Sequence, residues 1–511
     1  MPFDDFSFLF LFLPVMLMGW LALAWARADR HKWLLGVFIG GVSALYYWFG
    51  SPDFFPLLVI LTLFNFAIGW VVTRNHATSL YWFGMAVDLG VLVWFKYDNF
   101  TIQALNSTFG LALPAMATVL PLGISFFTFQ KLAYLTDIRR GENECWHLGE
   151  FFLLVWFFPQ LIAGPIVRPH EFIPQWRALR LDGRRVAMNL CVGLTLFFVG
   201  LIKKLAVADM VAPYVDIVFD QAAAGQPPRL SDAWIAVTAF TVRIYFDFSA
   251  YSDMAIGLAR IFGIKLPINF FSPYRSANII EFWRRWHITL SRFLRDYLYI
   301  PLGGNRHGPF RRYVNLMVVM LLGGLWHGAN WNFMFWGGLH GLYLVVNHLW
   351  REAGRRALPH VAGWAITLIA VMFAWVPFRS PSLAATLSVW SGMVGLNGIA
   401  LPAWTPFANE LIMRMPSYFE GRSLLHQFVA VAGAYPLLVI PIGIAVAVLC
   451  PNIYQWLDRF EPALYYEPRS VAGRWRCTWR PTVPAALIVA AAASAAVIFA
   501  GRPLTYLYWQ F

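Results

Sequence analysis

The stretch from Tyr313 to Trp350 limits the possible folds of this chain most, because none of its 38 residues carries a formal charge. As one helix it would be about 57 Å long, nearly twice a ~30 Å hydrocarbon core, so it must fold back or break. Glycines at 323, 324 and 328 place the break at its centre, Leu325-Trp326-His327-Gly328-Ala329-Asn330-Trp331. We therefore predict a hairpin with His327 at its turn.

The composition of the whole chain indicates a membrane protein. The 511 residues are 59% hydrophobic and only 13% charged, which excludes a soluble globule and a disordered protein. The net charge of +13 lies in short loops between apolar runs, so the positive-inside rule explains it more simply than nucleic-acid binding. Cys145, Cys191, Cys450 and Cys477 are far apart, and we predict neither a disulfide framework nor a metal site.

The apolar runs predict an all-α polytopic protein with about 11–12 transmembrane helices in one domain covering residues 1–511. The run at 6–25 follows acidic residues and is too long for a signal peptide, so we expect a retained first span with its N-terminus outside. Arg243 and Asp247 are four residues apart and are expected to pair within a span. The Gly-rich segment 383–400 is placed on the outer face. The predicted spans are 6–25, 34–49, 54–73, 79–95, 109–132, 187–202, 233–262, both arms of the hairpin, 361–378, 428–450 and 483–500.

The run from Phe151 to Gly164 has basic residues on both sides, Arg139 and Arg140 before it and Arg168 after it. A single crossing would put one of these groups on the wrong side of the membrane. The run also contains Pro159 and ends at Gly164-Pro165, which favours a re-entrant or broken segment lining a cavity open to the cytoplasm. A kinked helix packed on its neighbours is the alternative.

A second unusual histidine lies in the basic region that precedes the hairpin. The spacing of apolar residues from Ile279 to Ile300 predicts an amphipathic helix lying at the membrane interface. His287 falls on its apolar face. A single histidine there is more often a core residue, but it would be the second that points inward at the same cytoplasmic face.

The motifs that are absent exclude several classes of enzyme. We find no Walker A sequence, nucleophile elbow, zinc-protease motif or dinucleotide fingerprint. A buried, neutral imidazole can act as a general base towards a hydroxyl that attacks a thioester, and a structural role for His327 is equally compatible with the pattern. Nearby basic residues either attract a phosphate-bearing donor or anchor lipid head groups: Arg284, Arg285, Arg292 and Arg306.

Several co-ordered motifs between residues 120 and 350 resemble the membrane-bound O-acyltransferase family, most closely its alginate O-acetylase branch. The matching runs are Pro121–Gln130, Phe157–Ile166, Asp247–Asp253, Glu281–Ile288, Arg295–Asn305 and Leu325–Trp331. The total length also suits the family.

The resemblance implies a fold with a central tunnel through the membrane, with His327 as the active-site histidine and His287 as the second histidine of the site. We assign substrate binding to neighbouring motif residues, namely Trp286, Trp326, Asn330 and Arg284. The expected reaction moves acetyl from a cytoplasmic thioester, such as acetyl-coenzyme A, across the bacterial inner membrane. Periplasmic partner proteins would then pass it to an exopolysaccharide such as alginate. No bound cofactor is expected.

Three alternatives remain at the level of sequence. One relative type transfers D-alanine towards teichoic acid, so another acyl group and another envelope polymer are compatible with the motifs. A proton-coupled transporter with His327 in its pathway would need internal symmetry, which we do not detect. A scaffold for a partner enzyme would tolerate the loss of His327.

Overall fold

The computed structural model describes residues 2–142, 147–399, 436–466, 479–500 and 506. Within these residues the secondary structure is helical, apart from one isolated β-bridge between Pro267 and Leu464. The prediction of an all-α protein is confirmed. The first eight predicted residues of span 428–450 lie outside the described residues.

The first five helices follow the N-terminal apolar runs, with one difference. A π-helical turn, Phe8–Phe12, leads into α1 (Leu13–Trp25), and then come α2 (Lys32–Gly50), α3 (Phe55–Asn75), α4 (Thr78–Phe109) and α5 (Ile124–Arg139). The predicted span 109–132 is therefore wrong, because residues 110–123 form no helix. The side chains of Asn99 and Asn106 each make two hydrogen bonds of 2.9 Å with the backbone of this segment, which satisfies polar groups that a helix would otherwise pair.

The run after α5 is broken, as predicted. It contains α6 (Leu148–Trp156) and the single turn α7 (Phe158–Leu161), which are separated at Phe157 and followed by irregular backbone and α8 (Pro169–Ala178). Arg168 fixes the end of the irregular part through an ion pair of 2.6 Å with Asp296. Burial would raise the pKa of Asp296, but hydrogen bonds from Arg295 and Arg168 outweigh it, so this pKa lies below its usual value.

Two long helical rods form the centre of the described fold. α9 (Gly183–Lys203) continues through a π-helical turn, Lys204–Ala208, into α10 (Asp209–Ala223), and α11 (Leu230–Ile261) packs along them. Glycines allow this close approach, because a Cβ atom on Gly193 would lie 2.6 Å from the Gly257 carbonyl oxygen.

Buried charges on these rods are paired across helices. Lys203 meets Asp253 at 2.8 Å, and Lys204 meets Asp209 at 2.7 Å and Asp247 at 2.8 Å. The predicted pairing of Arg243 with Asp247 is wrong, since Arg243 meets Asp216 at 2.9 Å and Asp247 meets Lys204. Neighbouring helices thus supply the opposite charges for both residues.

The prediction of one continuous amphipathic helix over residues 279–300 is wrong. The chain forms α12 (Ile279–Trp283), turns, and then forms α13 (Ile288–Leu294) followed by a π-helical turn, Arg295–Tyr299. His287 causes the change of direction, because its φ of 42° lies in the left-handed region that ends a right-handed helix.

The predicted hairpin is confirmed and consists of α14 (Gly308–His327) and α15 (Trp331–Glu352). Two glycines let the arms touch through their backbones. A Cβ atom on Gly324 would lie 2.1 Å from the Phe333 carbonyl oxygen, and one on Gly337 would lie 2.2 Å from that of Met320. Beyond it lie α16 (His360–Arg379) and the short α17 (Leu383–Met393). The described residues after 435 also include the helices Pro436–Leu449, Ile453–Trp456 and Val483–Ala500.

Six helical segments of the described chain are long and apolar enough to cross a membrane by themselves: Phe8–Trp25, Lys32–Gly50, Pro52–Asn75, Thr78–Phe109, Gly183–Ala223 and His360–Arg379. They make this a multi-pass membrane protein. The larger total of 11–12 spans stays a prediction, since the remaining helices are shorter or carry more polar residues.

Candidate active site

His327 is the last residue of α14, and the chain turns sharply beyond it. Gly328 is extended, and Asn330 starts α15 by accepting a hydrogen bond of 2.9 Å from the Asn332 amide. The imidazole of His327 is buried, and the rings of Trp336 and Phe378 lie 5.1 and 5.4 Å away between centroids. The turn therefore holds the histidine inside the protein.

His287 reaches the same place from the turn between α12 and α13. It is fully buried, and its Nδ1 lies 3.0 Å from Asn269 Oδ1. The amide and the hydroxyl of Thr289 also donate hydrogen bonds to this atom, which identifies it as the amide oxygen. An amide oxygen only accepts, so His287 must be the donor. Nδ1 therefore carries the proton of a neutral His287, and its Nε2 carries the lone pair.

The two histidines, which are 40 positions apart in the sequence, come together in the fold. Their ring centroids are 6.4 Å apart, and the planes are inclined at 61°. The ring of Trp326 contacts both, at 6.1 Å from His287 and 5.0 Å from His327. This separation lets both imidazoles contact one bound group.

Lys96 is a residue of the site that the sequence reasoning missed. It comes from α4, and its ammonium donates hydrogen bonds to the Trp326 carbonyl at 2.5 Å and to Ser125 Oγ at 3.2 Å. The neighbouring Tyr97 hydroxyl donates to the Leu325 carbonyl at 2.9 Å. The one signal in the sequence was a lysine inside an apolar span, which by itself predicts a functional group.

His340 on α15 was also missed. Its ring is fully buried between Trp283 at 5.1 Å and Trp336 at 4.9 Å, and it stacks on Phe282 at 6.0 Å. Among the described residues neither of its nitrogens has a hydrogen-bond partner. Trp336 thus lies between the imidazoles of His340 and His327.

The residues expected to bind substrate have different surroundings. Trp326 belongs to the histidine pair, whereas Trp286 is buried in an aromatic layer with Phe282 at 5.6 Å and Trp375 at 4.9 Å. The Asn330 side chain caps α15 and donates to the Pro381 carbonyl at 3.3 Å. The structure thus gives the Asn330 side chain two backbone partners.

Arg284 lines a basic cavity that also includes Ile288, the residue after His287. The cavity measures about 460 Å³ and is lined by Arg284, Arg285, Ile288, Arg292, Tyr465 and other residues. Arg285 and Arg292 are held by Glu281 at 2.5 Å and Glu171 at 2.8 Å. Arg284 also lines an adjoining cavity of about 290 Å³ together with Arg351. These arginines give the two cavities a basic lining.

A third, smaller cavity lies beside Lys96, whose ammonium contacts the hairpin turn at the Trp326 carbonyl. It measures about 120 Å³ and is lined by Lys96, Ser125, the loop at 120–123 and Ile162-Ala163 of the broken segment. The expectation that the broken segment lines a cavity is confirmed. That this cavity opens to the cytoplasm stays a prediction.

No group of three histidine, cysteine, aspartate or glutamate side chains in the described part of the chain could hold a metal ion. The chemical groups present at the site are two facing imidazoles, one ammonium and a layer of aromatic rings. They can exchange protons and bind an anionic or polar group in an otherwise apolar environment.

Comparison with known proteins identifies relatives along most of the chain. The family model of the membrane-bound O-acyltransferases matches residues 44–390. The peptidoglycan O-acetyltransferase of Helicobacter pylori is 38% identical over 474 residues, which cover 86% of this chain and 87% of the relative.

Two other kinds of relative share the same region. The probable alginate O-acetylase of Pseudomonas aeruginosa is 41% identical over 409 residues, covering 77% of this chain and 75% of the relative. The teichoic acid D-alanyltransferase of Streptococcus thermophilus is 28% identical over 290 residues, covering 50% of this chain and 68% of the relative.

Proposed function

We propose a specific reaction for this chain, which belongs to the membrane-bound O-acyltransferase family and is an O-acyltransferase. It takes acetyl from a cytoplasmic thioester donor, such as acetyl-coenzyme A, and transfers it through the membrane for O-acetylation of an exopolysaccharide. The observation that carries the proposal is the pair of buried imidazoles 6.4 Å apart, together with a basic cavity that is lined by Ile288, the residue after His287.

His327 is the proposed general base. A neutral imidazole removes the proton from an acceptor hydroxyl as the oxygen attacks the thioester carbonyl. The bond between the carbonyl carbon and sulfur breaks, the ester bond forms, and the thiolate takes the proton from the imidazolium. Exclusion of water by the aromatic layer protects the thioester from hydrolysis.

His287 is the proposed second histidine of the site. Since Asn269 fixes the proton on Nδ1, Nε2 is the nitrogen that can accept a hydrogen bond from the acceptor hydroxyl or from a water that links it to His327. Trp326 contacts both rings and would restrict where the acetyl group lies.

The basic cavity is the proposed donor entrance. Arginine forks bind phosphate well, and Arg284 lines both adjoining cavities. A donor with phosphate groups would rest there and extend its thioester past Ile288 towards the histidines.

The proposed location is the bacterial inner membrane, with the arginine-rich face in the cytoplasm. The proposed acceptors are envelope polymers, reached through periplasmic acetyltransferase partners, in keeping with the alginate and peptidoglycan O-acetylating relatives. Membrane lipids surround the apolar spans, and no bound cofactor is required for transfer from an activated thioester.

Replacement of His327 tests the proposal. Purified protein incubated with acetyl-coenzyme A labelled in the acetyl group should release or transfer label, and His327→Ala should lower the rate by at least about 100-fold, the range of a lost general base. His360→Ala is the matched control, because His360 is exposed at the start of α16. Equal rates for wild type and His327→Ala, with both proteins monodisperse, would refute the role.

A second candidate donor carries D-alanine, because a teichoic acid D-alanyltransferase is among the relatives. Parallel incubation with acetyl and D-alanyl thioesters decides between them. A transporter is not favoured, since the family to which the chain belongs consists of acyltransferases.

A further inference from the structure

Lys96 differs from the lysines of the central rods in having no acidic partner. Its helix, α4, is one of the segments able to cross a membrane. Lys203 and Lys204 are paired with aspartates, whereas the described residues place no carboxylate in ion-pair contact with Lys96. A cation inside a membrane protein is costly without a counter-charge, so this position calls for an explanation.

The hydrogen bonds of Lys96 leave part of its capacity unused. An ammonium has three N–H donors, and two of them go to the Trp326 carbonyl and Ser125 Oγ. Lys96 also lines the cavity of about 120 Å³ at the hairpin turn. That volume suits a group of a few heavy atoms, such as a carboxylate, rather than a whole sugar or a coenzyme.

This cavity lies at the opposite end of α14 from Arg311 and Arg312, which are roughly 23 Å along the helix from His327. Lys96 is about 27 Å along α4 from Thr78, whose hydroxyl accepts a hydrogen bond from Arg139. Both helices therefore separate the Lys96 cavity from the arginines near their far ends by most of the ~30 Å thickness of a membrane core.

We propose that the Lys96 cavity is an acceptor-side anion subsite, in which the ammonium binds a carboxylate carried by the molecule that receives the acyl group. This inference rests on the proposed function, in which the acceptor is the molecule whose hydroxyl attacks the thioester. The bound carboxylate supplies the missing counter-charge. Because Lys96 also holds the carbonyl of Trp326, the residue before His327, binding there places the acceptor beside the catalytic turn.

Charged thiol reagents test the subsite without any need for acyl transfer. Leu120 lines the mouth of the cavity and is 40% exposed, so Leu120→Cys provides a target once the four native cysteines are replaced by serine. An anionic methanethiosulfonate should label it on the order of tenfold faster than a cationic one at low ionic strength. Lys96→Gln should abolish this preference, and Lys96→Arg should retain it.

Protection by a soluble acid identifies the ligand chemistry. An oligouronate should slow the labelling of Leu120→Cys from the outer side of sealed vesicles, and its neutral, carboxyl-reduced counterpart should not. Equal labelling rates for the two reagents, or equal protection by the two sugars, would overturn the proposal, as would labelling from the cytoplasmic side alone.

One further variant separates failure of this inference from failure of the proposed function. His327→Ala in the Leu120→Cys protein should keep the charge preference while losing transfer. Loss of the preference with transfer intact would refute the subsite alone, and intact transfer in the His327→Ala protein would refute the proposed reaction alone.

Discussion

Asn269 shows how much of the site depends on one side chain. Its Oδ1 accepts hydrogen bonds from His287 and twice from Thr289, while its amide donates to Ser252 at 3.2 Å. The same oxygen thereby fixes both the orientation of an imidazole and the start of α13. A hydrogen-bond acceptor at one nitrogen of a neutral histidine holds the proton there and leaves the other nitrogen as the basic one.

We expect Asn269→Ala to lower kcat by roughly 10- to 100-fold with little change in the KM for the thioester, because the ring would be free to rotate and to change tautomer. Steady-state transfer of labelled acetyl measures both constants. Ser252→Ala is the matched control, since it removes the other hydrogen bond of Asn269 and leaves Oδ1 in place. A fall in kcat of the same size in Ser252→Ala would show that packing, and not the tautomer, is responsible.

At the scale of the element, the hairpin of α14 and α15 depends on two glycine contacts. We expect Gly324→Ala to lower the thermal midpoint and to reduce transfer, because the new methyl group would meet the Phe333 carbonyl oxygen at 2.1 Å and push the arms apart. The cost should be on the order of 1–3 kcal/mol or more.

Gly338→Ala is the control for this prediction. Its Cβ atom would meet only Leu321 Cδ2 at 3.5 Å, which is ordinary contact, so the midpoint should stay the same or rise slightly. Thermal unfolding of the detergent-purified proteins, followed by size-exclusion fluorescence, compares the two. Equal midpoints for both variants would contradict the close-packing argument.

The elements also show where sequence reasoning succeeds. The hairpin follows from its length and glycines, and the broken segment follows from its prolines and the charges around it. The segment at 110–123 and the turn at His287 were missed for a different reason. The course of the segment 110–123 depends on hydrogen bonds from Asn99 and Asn106, and the turn at His287 depends on a positive φ at a residue that is not glycine. Hydrophobic periodicity carries neither kind of information.

The same limit applies to the site. His327 was recognisable as a polar residue in an uncharged stretch, and His287 as a histidine on an apolar face. Lys96 and His340 looked like isolated polar residues in spans, because their significance comes from contacts with Trp326 and Trp336 on other parts of the chain. The role of Asn330 in substrate binding stays a prediction, and its hydrogen bonds to the backbone could not be read from the sequence.

At the scale of the whole molecule, the basic side chains of the site lie in separate cavities. Arginines line the basic cavity and the adjoining cavity that includes Arg351, whereas Lys96 lines the small cavity beside Trp326. In the proposed reaction this separation gives donor and acceptor different entrances. A charged donor would then be attracted to one face only.

We expect Arg284→Ala to raise the KM for acetyl-coenzyme A by roughly 10-fold, the loss of one charge-assisted contact, with little effect on kcat. The KM of the variant should also depend less on salt concentration, because less of the donor binding would come from exposed charge. Titration of the donor at low and high ionic strength measures both. Arg355→Ala is the control, since Arg355 is exposed beyond α15. An unchanged KM in Arg284→Ala would place the donor elsewhere.

The hydrogen bond from Lys96 to the Trp326 carbonyl joins residues 230 positions apart. A ribosome adds about 5–20 residues per second, so α4 would wait roughly 10–50 s in the bilayer before that carbonyl is made. During this interval the Trp326 carbonyl, which accepts a hydrogen bond from Lys96 in the folded protein, has not yet been made. Of the two groups that accept hydrogen bonds from Lys96, only Ser125 is present until the hairpin has been made.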